Sequence, residues 1–337
     1  MKKYIDTGKK DTLSGFGVCL LKAGQADPRV VALTADLKGS LKMDAFAAEF
    51  PERFVQCGIA EANMVGVAAG LAITGKIPFI GSFAEFVTGR VYDQIRQEVA
   101  YGKTNVKIAS SHAGITLGED GATHQTMEDL ALMRALPEMV VLNPCDFNQT
   151  VQATLAAAQY QGPVYLRFGR PSVPNFTDPD QPFEIGKAYV MNEGKDVSLF
   201  VCGHLVWEAL QAAETLEAEG IGVEVVNVAT IKPLDEATIL SSAAKTGKVL
   251  VAEEHNRAGG LGEAIASLLA EKQPTRVHFM NGEDRFGQTG TPAQLMALYG
   301  LDAAHIVEKV RALVVVSTAC SSASRNALFT VPDAAAP

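Results

Sequence analysis

The 337-residue sequence is short of most features that would place it outside the ordinary globular proteins. Its five cysteines, at 19, 57, 145, 202 and 320, are odd in number, scattered, and form no CxxC pair. That excludes a disulfide framework and a structural zinc site, and fits a reducing compartment. No uninterrupted apolar run approaches the roughly 20 residues a membrane helix needs. The lysines of MKKYIDTGKKDTLSG are not followed by an apolar segment, so no signal peptide and a cytoplasmic protein are expected. Basic residues are the minority, 29 against 38 acidic, with a formal net charge of −9. No basic run offsets this, so no nucleic-acid partner is expected. Neither HExxH nor GxxxxGK[ST] occurs, which removes a zinc-protease helix and a Walker phosphate loop.

What is present is 47 % hydrophobic and 20 % charged residues, in a chain long enough for two domains. Short apolar, β-branched runs recur at VVALTAD (30–36), IPFIG (77–81), VKIASS (106–111), MVVLNP (139–144) and PVYLRF (163–168). Helical patterns separate them at 12–24, 61–75, 83–100 and 146–159. The proline-rich RPSVPNFTDPDQPFE (170–184) interrupts the rhythm, which then restarts with strands at 196–203, 223–230, 248–255 and 276–281. Helices at 206–220, 235–247 and 259–272 alternate with them. Continuous apolar strands between helices predict an α/β fold of two consecutive doubly wound, mostly parallel-sheet domains. Their boundaries fall at 1–170 and 186–311, with 171–185 as a linker. The serine- and alanine-rich stretch 312–337 reads as a loosely held tail of unknown role.

Three local features carry chemistry. GEDGATHQ (118–125), preceded by His112 in IASSHAG, gathers Glu119, Asp120 and His124 just after a strand. A metal site lacks any recognised ligand spacing, and a plain polar loop capping a helix near Thr126 is the unremarkable alternative. A substrate cleft is the third reading, because open α/β sheets bind ligands beyond the carboxyl ends of their strands. Glu61 opens the nearly all-apolar helix of GIAEANMVGVAAGLA (58–72). It is either a first-turn acid complementing the helix dipole or a buried carboxyl able to exchange a proton near neutrality. In GSFAEFVTGRVYDQ (81–94), Phe83 and Phe86 lie on one helical face, as core or as a wall for a flat heteroaromatic ring.

Taken in order, RFVQCGIAEANMVGVAAGLA, GSFAEF and SSHAGITLGEDGATHQTMEDLALMRALP resemble the pyrimidine-binding domain of transketolases. VEVVNVATIKPLD and VAEEHNRAGGLGEAI are similar to that family's C-terminal domain, and the likeness covers about 1–311. It implies a transferase that uses thiamine diphosphate and Mg²⁺ to move a two-carbon ketol unit between sugar phosphates. By the same resemblance Glu61 contacts the aminopyrimidine and supplies its proton, and Phe86 with Phe83 walls the pyrimidine pocket. Asp36 and Ile59 lie near the cofactor. His112, Asp120 and His124 hold the sugar, with His124 also in proton traffic. Ser40 contacts phosphate, and either Arg167 or Arg170 grips the distal phosphate with its fork.

Departures from the family pattern accompany the likeness. Asp11 stands where long transketolases carry an arginine, Ala60 and Ala62 replace an Arg and a His around Glu61, and Gly89 replaces an aromatic, for which Tyr92 is a candidate substitute. The family's diphosphate- and Mg²⁺-binding domain has no counterpart in these residues. The resemblance is therefore to the C-terminal subunit of a split transketolase. Such a subunit is inactive until joined by a separate N-terminal subunit that carries the Mg²⁺ site, as a homodimer core within two copies of each chain. The nearest alternatives are the beta subunit of a 2-oxo-acid dehydrogenase, a 1-deoxyxylulose-5-phosphate synthase-like enzyme, and a catalytically silent regulatory subunit.

Overall fold

Five of the apolar runs form the first sheet for a simple reason: their residues are buried on both faces and must be covered by helices. The computed structural model describes residues 4–323, with side chains through 315. Across the seven-stranded sheet the order is Thr230–Lys232, Val140–Leu142, Val164–Arg167, Lys107–Ser111, Ile77–Phe83, Val30–Thr34 and Phe54–Gln56. All neighbours are parallel except the first pair, in which Thr230↔Leu142 run antiparallel. The second sheet is ordered Val277–Met280, Val249–Ala252, Val197–Val201, Val223–Asn227 and Tyr189–Asn192, parallel except at the last strand.

Aspartates set three helix starts. Asp11, Asp146 and Asp235 accept the backbone N–H of Ser14, Gln149 and Thr238, opening Thr12–Ala26, Phe147–Gln159 and Glu236–Thr246. Each such cap is worth about 1 kcal/mol. The helix Glu61–Ile73 has no such cap at Ala60, and the Glu61 carboxyl stands in its first turn instead.

The two halves are less separable than the sequence implies. One apolar cluster runs from Leu33, Ile80 and Tyr165 in the first half to Phe200, Val226 and Val251 in the second. Thr230–Lys232, from the second half, is an edge strand of the first sheet. The 171–185 segment is also fastened down rather than loose. Ser172–Pro174 pairs with Lys9–Asp11, and the buried Asp146 carboxylate accepts the N–H groups of Phe176 and Thr177 and the Thr177 hydroxyl.

Two further expectations are corrected. The helix expected over 83–100 is broken into Ala84–Val87, Tyr92–Gln94 and a wide π-turn at Ile95–Tyr101. Thr88, with φ −124° and ψ −74°, ends the first piece next to Gly89. The helix expected near Thr126 begins at Asp129. At the far end, Ala303–Ala323 continues through 311, and Leu313 and Val314 pack on the second core. The remainder of the tail, 324–337, lies outside the described residues.

Candidate functional site

The site is assembled at the carboxyl ends of the parallel strands Ile77–Phe83, Lys107–Ser111 and Val164–Arg167, where such sheets leave room for ligands. Phe83 ends one strand, and His112 follows the next with φ +59°, a left-handed backbone uncommon for any residue but glycine. That turn lays the His112 imidazole on Phe83, ring centres 3.9 Å apart and 23° from parallel. Phe83 and Phe86 are themselves stacked at 5.8 Å and 25°. The His124 ring stands edge-on to Phe86 at 5.3 Å and to Phe83 at 6.5 Å. Four rings from three segments thus share one wall.

Glu61 reaches this wall through one intermediary. Its side chain is only 5 % exposed, and its single hydrogen-bond donor among the described residues is the half-exposed Arg90, Nη1 to Oε1 at 3.3 Å. The Arg90 guanidinium lies 4.1 Å over the Phe86 ring, a contact worth about 0.5–1 kcal/mol. A carboxyl, a cation and stacked rings in this order suit a flat, nitrogen-bearing heterocycle. Ser82, one residue before Phe83, has a buried hydroxyl with no hydrogen-bond partner among the described residues. These groups fit the pyrimidine half of thiamine diphosphate. Among the described residues no group of three or more His, Cys, Asp or Glu side chains is placed to hold a metal ion.

Burial pushes the His112 imidazole down to about 4, helped by the nearby Arg170 cation and opposed by Asp120. The ring is therefore neutral near pH 7 and offers one donor and one acceptor; Nδ1 lies 3.0 Å from the Ser111 hydroxyl. His124 Nδ1 lies 3.0 Å from the Thr123 hydroxyl. Beside His112 opens a cleft of about 340 Å³ lined by Asp11, Leu13, Ser40, Lys42, His112, Arg170 and Ser172. Asp11 is the helix-capping residue, and both its oxygens are engaged by Ser14. Its presence adds an acid to the cleft without a free carboxylate oxygen pair.

The structure separates the two arginines that the sequence left as alternatives. Arg170 Nη1 is 2.7 Å from Glu119 Oε2, and its side chain is 43 % exposed on the cleft. Arg167 is a correction to the site expected from sequence. It is 5 % exposed against a fully buried Asp129, with Nε and Nη2 on that carboxylate at 2.7 and 3.1 Å and Nη2 also on the Glu254 carbonyl. A guanidinium so committed has no fork left for a phosphate.

Other residues fall outside the ring wall. Asp36, at φ +60°, is exposed, and its N–H donates to Gln56 Oε1 at 2.7 Å; Ile59 is 79 % exposed. Tyr92, half-buried, packs on the first core. Sequence reasoning missed Arg90, Lys42, Gln125 and Glu254. Lys42 stands two residues after Ser40 and Gln125 closes GEDGATHQ, so both were within reach of the motifs. Glu254 was not, since it meets the loop only in three dimensions: its Oε1 accepts the Thr116 N–H at 2.7 Å across 138 residues of chain.

Comparison with known proteins gives the class. The family model for the transketolase pyrimidine-binding domain matches residues 8–175, and that for the transketolase C-terminal domain matches 186–306. The chain therefore belongs to the transketolase family of thiamine-diphosphate-dependent transferases. Among its relatives is the putative transketolase C-terminal section of Methanocaldococcus jannaschii, 44 % identical over 304 residues, covering 89 % of this chain and 95 % of that one. The 6-deoxy-6-sulfo-D-fructose transketolase subunit SqwH of Clostridium sp. is also 44 % identical, over 288 residues and 86 % and 89 % of the two chains. A solved structure described as a split-gene transketolase in an inactive beta4 tetramer superposes with TM-score 0.84 at 45 % identity, covering 91 % and 99 %.

Proposed function

We propose that this chain is the C-terminal subunit of a split transketolase and contributes the pyrimidine side and the sugar side of a shared active site. The observation that carries the reading is the unbroken path from Glu61 through Arg90 to the Phe86, Phe83, His124 and His112 rings, opening into the Arg170 cleft. When bound, thiamine diphosphate supplies the carbon nucleophile for two-carbon ketol transfer. Glu61 holds a proton at a ring nitrogen of the cofactor, and its burial keeps water from competing for that contact. Phe86 and Phe83 fix the ring plane. His112, neutral, and Asp120 and His124 hydrogen-bond the sugar's oxygens, and His124 is placed to relay a proton beside the ring wall.

Ser40, Arg170 and Lys42 take the distal phosphate. Lys42 supplies a cation in the cleft where Asp11 stands in place of an arginine. Asp36 and Ile59 face outward from this chain, toward the neighbouring subunit. The helix Glu61–Ile73 exposes Ala62, Asn63, Gly70 and Ile73, and Ile59 and Tyr101 are exposed as well; this mostly small or apolar set supports a homodimer core. A separate N-terminal subunit holds the diphosphate and Mg²⁺ through hard oxygen ligands, and the assembly contains two of each chain. The name of the M. jannaschii relative and the split-gene description of the solved structure support that division. Among the described residues no helix is long and apolar enough to cross a membrane. A cytoplasmic enzyme of the sugar-phosphate interconversions of the pentose phosphate type is the setting we propose.

The test is reconstitution. The purified chain with thiamine diphosphate and Mg²⁺ is expected to give no ketol transfer, and addition of the diphosphate-domain subunit is expected to restore transfer from a ketose phosphate to an aldose phosphate. Robust turnover without the partner, or pyruvate decarboxylation in place of ketol transfer, overturns the proposal.

A further inference from the structure

The loop between His112 and Gln125 is held largely from the second half of the chain. Its neck is closed by the Gly114 N–H on the Thr126 carbonyl at 2.8 Å. From there Glu254, buried two residues past strand Val249–Ala252, accepts the Thr116 N–H at 2.7 Å. The same carboxyl occupies the space over Gly114, where a Cβ would lie 2.2 Å from Oε1. Asn256 N–H donates to the Met127 carbonyl at 2.7 Å just past the loop. On the other side the buried Gln125 amide gathers three carbonyls, Ile115 at 3.0 Å, Gly118 at 3.2 Å and Gln288 at 3.0 Å. Gln288 belongs to the second half, and Gly287 beside it lies so close that a Cβ would meet Gln125 Oε1 at 1.8 Å. Gly118 and Gly121 rest against Pro292 and Thr289 of the same segment.

None of these groups reaches the cleft, yet between the two anchors lie Asp120 and His124. We propose that the second half of the chain sets the conformation of the sugar-facing loop, with Glu254 and Gln125 as positioning residues for substrate binding. This rests on the transketolase reading above for what the loop binds, but not for how the loop is held. The physical argument is entropic. A 14-residue excursion rich in glycine has many conformations of similar energy, and each fixed residue costs about 1–2 kcal/mol of backbone entropy. Two buried polar anchors at its start and end remove that freedom in advance of substrate.

Three variants and two readouts test the proposal: Glu254→Ala, Glu254→Gln and Gln125→Ala. In the isolated chain, hydrogen exchange at amides 114–126 is expected to rise in Glu254→Ala and Gln125→Ala, with strand Val30–Thr34 unchanged. Glu254→Gln keeps an acceptor oxygen for Thr116 and is expected to restore protection. In the complex reconstituted with the diphosphate-domain subunit, each alanine variant is expected to raise KM for the ketose phosphate about tenfold, the equivalent of one net hydrogen bond, with kcat changed far less. Glu254→Gln is expected to return KM to near the unaltered value, which a general packing role would not predict.

Unchanged exchange in both alanine variants overturns the proposal. So does faster loop exchange with unchanged KM, because the anchors would then hold a loop that does not position substrate. If Glu254→Ala fails to fold, Gln125→Ala and the Glu254→Gln comparison decide. Absence of ketol transfer in the unaltered complex is instead a failure of the transketolase reading, and the exchange measurement then decides the anchoring alone.

Discussion

Arg167 and Arg170 stand three residues apart and answer to different physics, so exchanging each in turn is the sharpest test of the site. Arg167 and Asp129 form an ion pair with side-chain exposures of 5 % and 0 %, and Tyr165 donates its hydroxyl to the same carboxylate at 2.7 Å. Burial alone pushes the Asp129 carboxyl up, but the Arg167 charge outweighs it and holds the group below the usual carboxylate range. Removing Arg167 strands a buried anion. For Arg167→Met the loss of stability is expected to be on the order of 3–5 kcal/mol. At about 2.1 cal/mol/K of unfolding entropy per residue, a chain of 337 residues loses about 1.4 °C per kcal/mol, so the unfolding midpoint falls by roughly 4–7 °C. The double variant Asp129→Asn/Arg167→Met is expected to recover part of that loss, since neither charge is then left alone. Arg170→Ala, by contrast, removes a half-exposed side chain whose partner Glu119 is exposed. It is expected to leave the midpoint unchanged while raising KM for a phosphorylated ketose tenfold or more, the usual range for a lost charge-assisted phosphate contact. Differential scanning calorimetry of the chain and steady-state kinetics of the reconstituted complex separate the two. An Arg167→Met variant with an unchanged midpoint and a raised KM would refute the assignment and return the phosphate to Arg167.

Other perturbations probe the remaining parts. Glu61→Gln keeps the shape but not the titratable proton and is expected to lower kcat of the complex by 10²–10⁴-fold, as for other positioned proton donors, with cofactor still bound by fluorescence titration; near-normal turnover would remove Glu61 from proton transfer. Burial pushes His112, His204 and His255 each down to about 4 from 6.5. The unfolded chain therefore takes up protons first, so stability is full above pH 6.5 and falls as pH drops toward 4; a flat denaturation midpoint across that window would contradict their buried neutrality. Gly169→Ala would place a Cβ 2.0 Å from His204 Cε1 and is expected to destabilise the chain measurably in urea, whereas Gly70→Ala, with no atom within 4 Å, should not.

Much of the site was legible because its parts are local. Glu61 opens a helix, Phe83 and Phe86 straddle a strand end, and His112 to Gln125 is one loop, so pattern and strand-end position single each out as a candidate, while the role expected of it comes from the family resemblance. The two sheets were legible for the same reason, since strands buried on both faces read as unbroken apolar runs. What escaped depends on contacts distant in sequence or on very short elements. Phe54–Gln56 and Thr230–Lys232 are three residues each and carry too little pattern to register. Arg167 and Arg170 look alike in YLRFGRP; only the location of Asp129, 38 residues earlier, makes one structural and leaves the other at the cleft. Glu254 could not be associated with GEDGATHQ by any local rule, because its partner is a backbone amide in the other half of the chain.

The antiparallel pairing of Thr230–Lys232 with Val140–Leu142 bears on how such chains can be recombined. A boundary drawn through 171–185 looks like a natural seam for exchanging C-terminal halves between relatives. Cutting there would strip the first sheet of its outermost strand and uncover the hydrogen-bonding edge of Val140–Leu142, an invitation to pair with another molecule. A workable chimera must therefore carry 230–232 together with whichever first half it was matched to. Modular as the two halves appear along the chain, they are expected to be inherited and engineered as one piece.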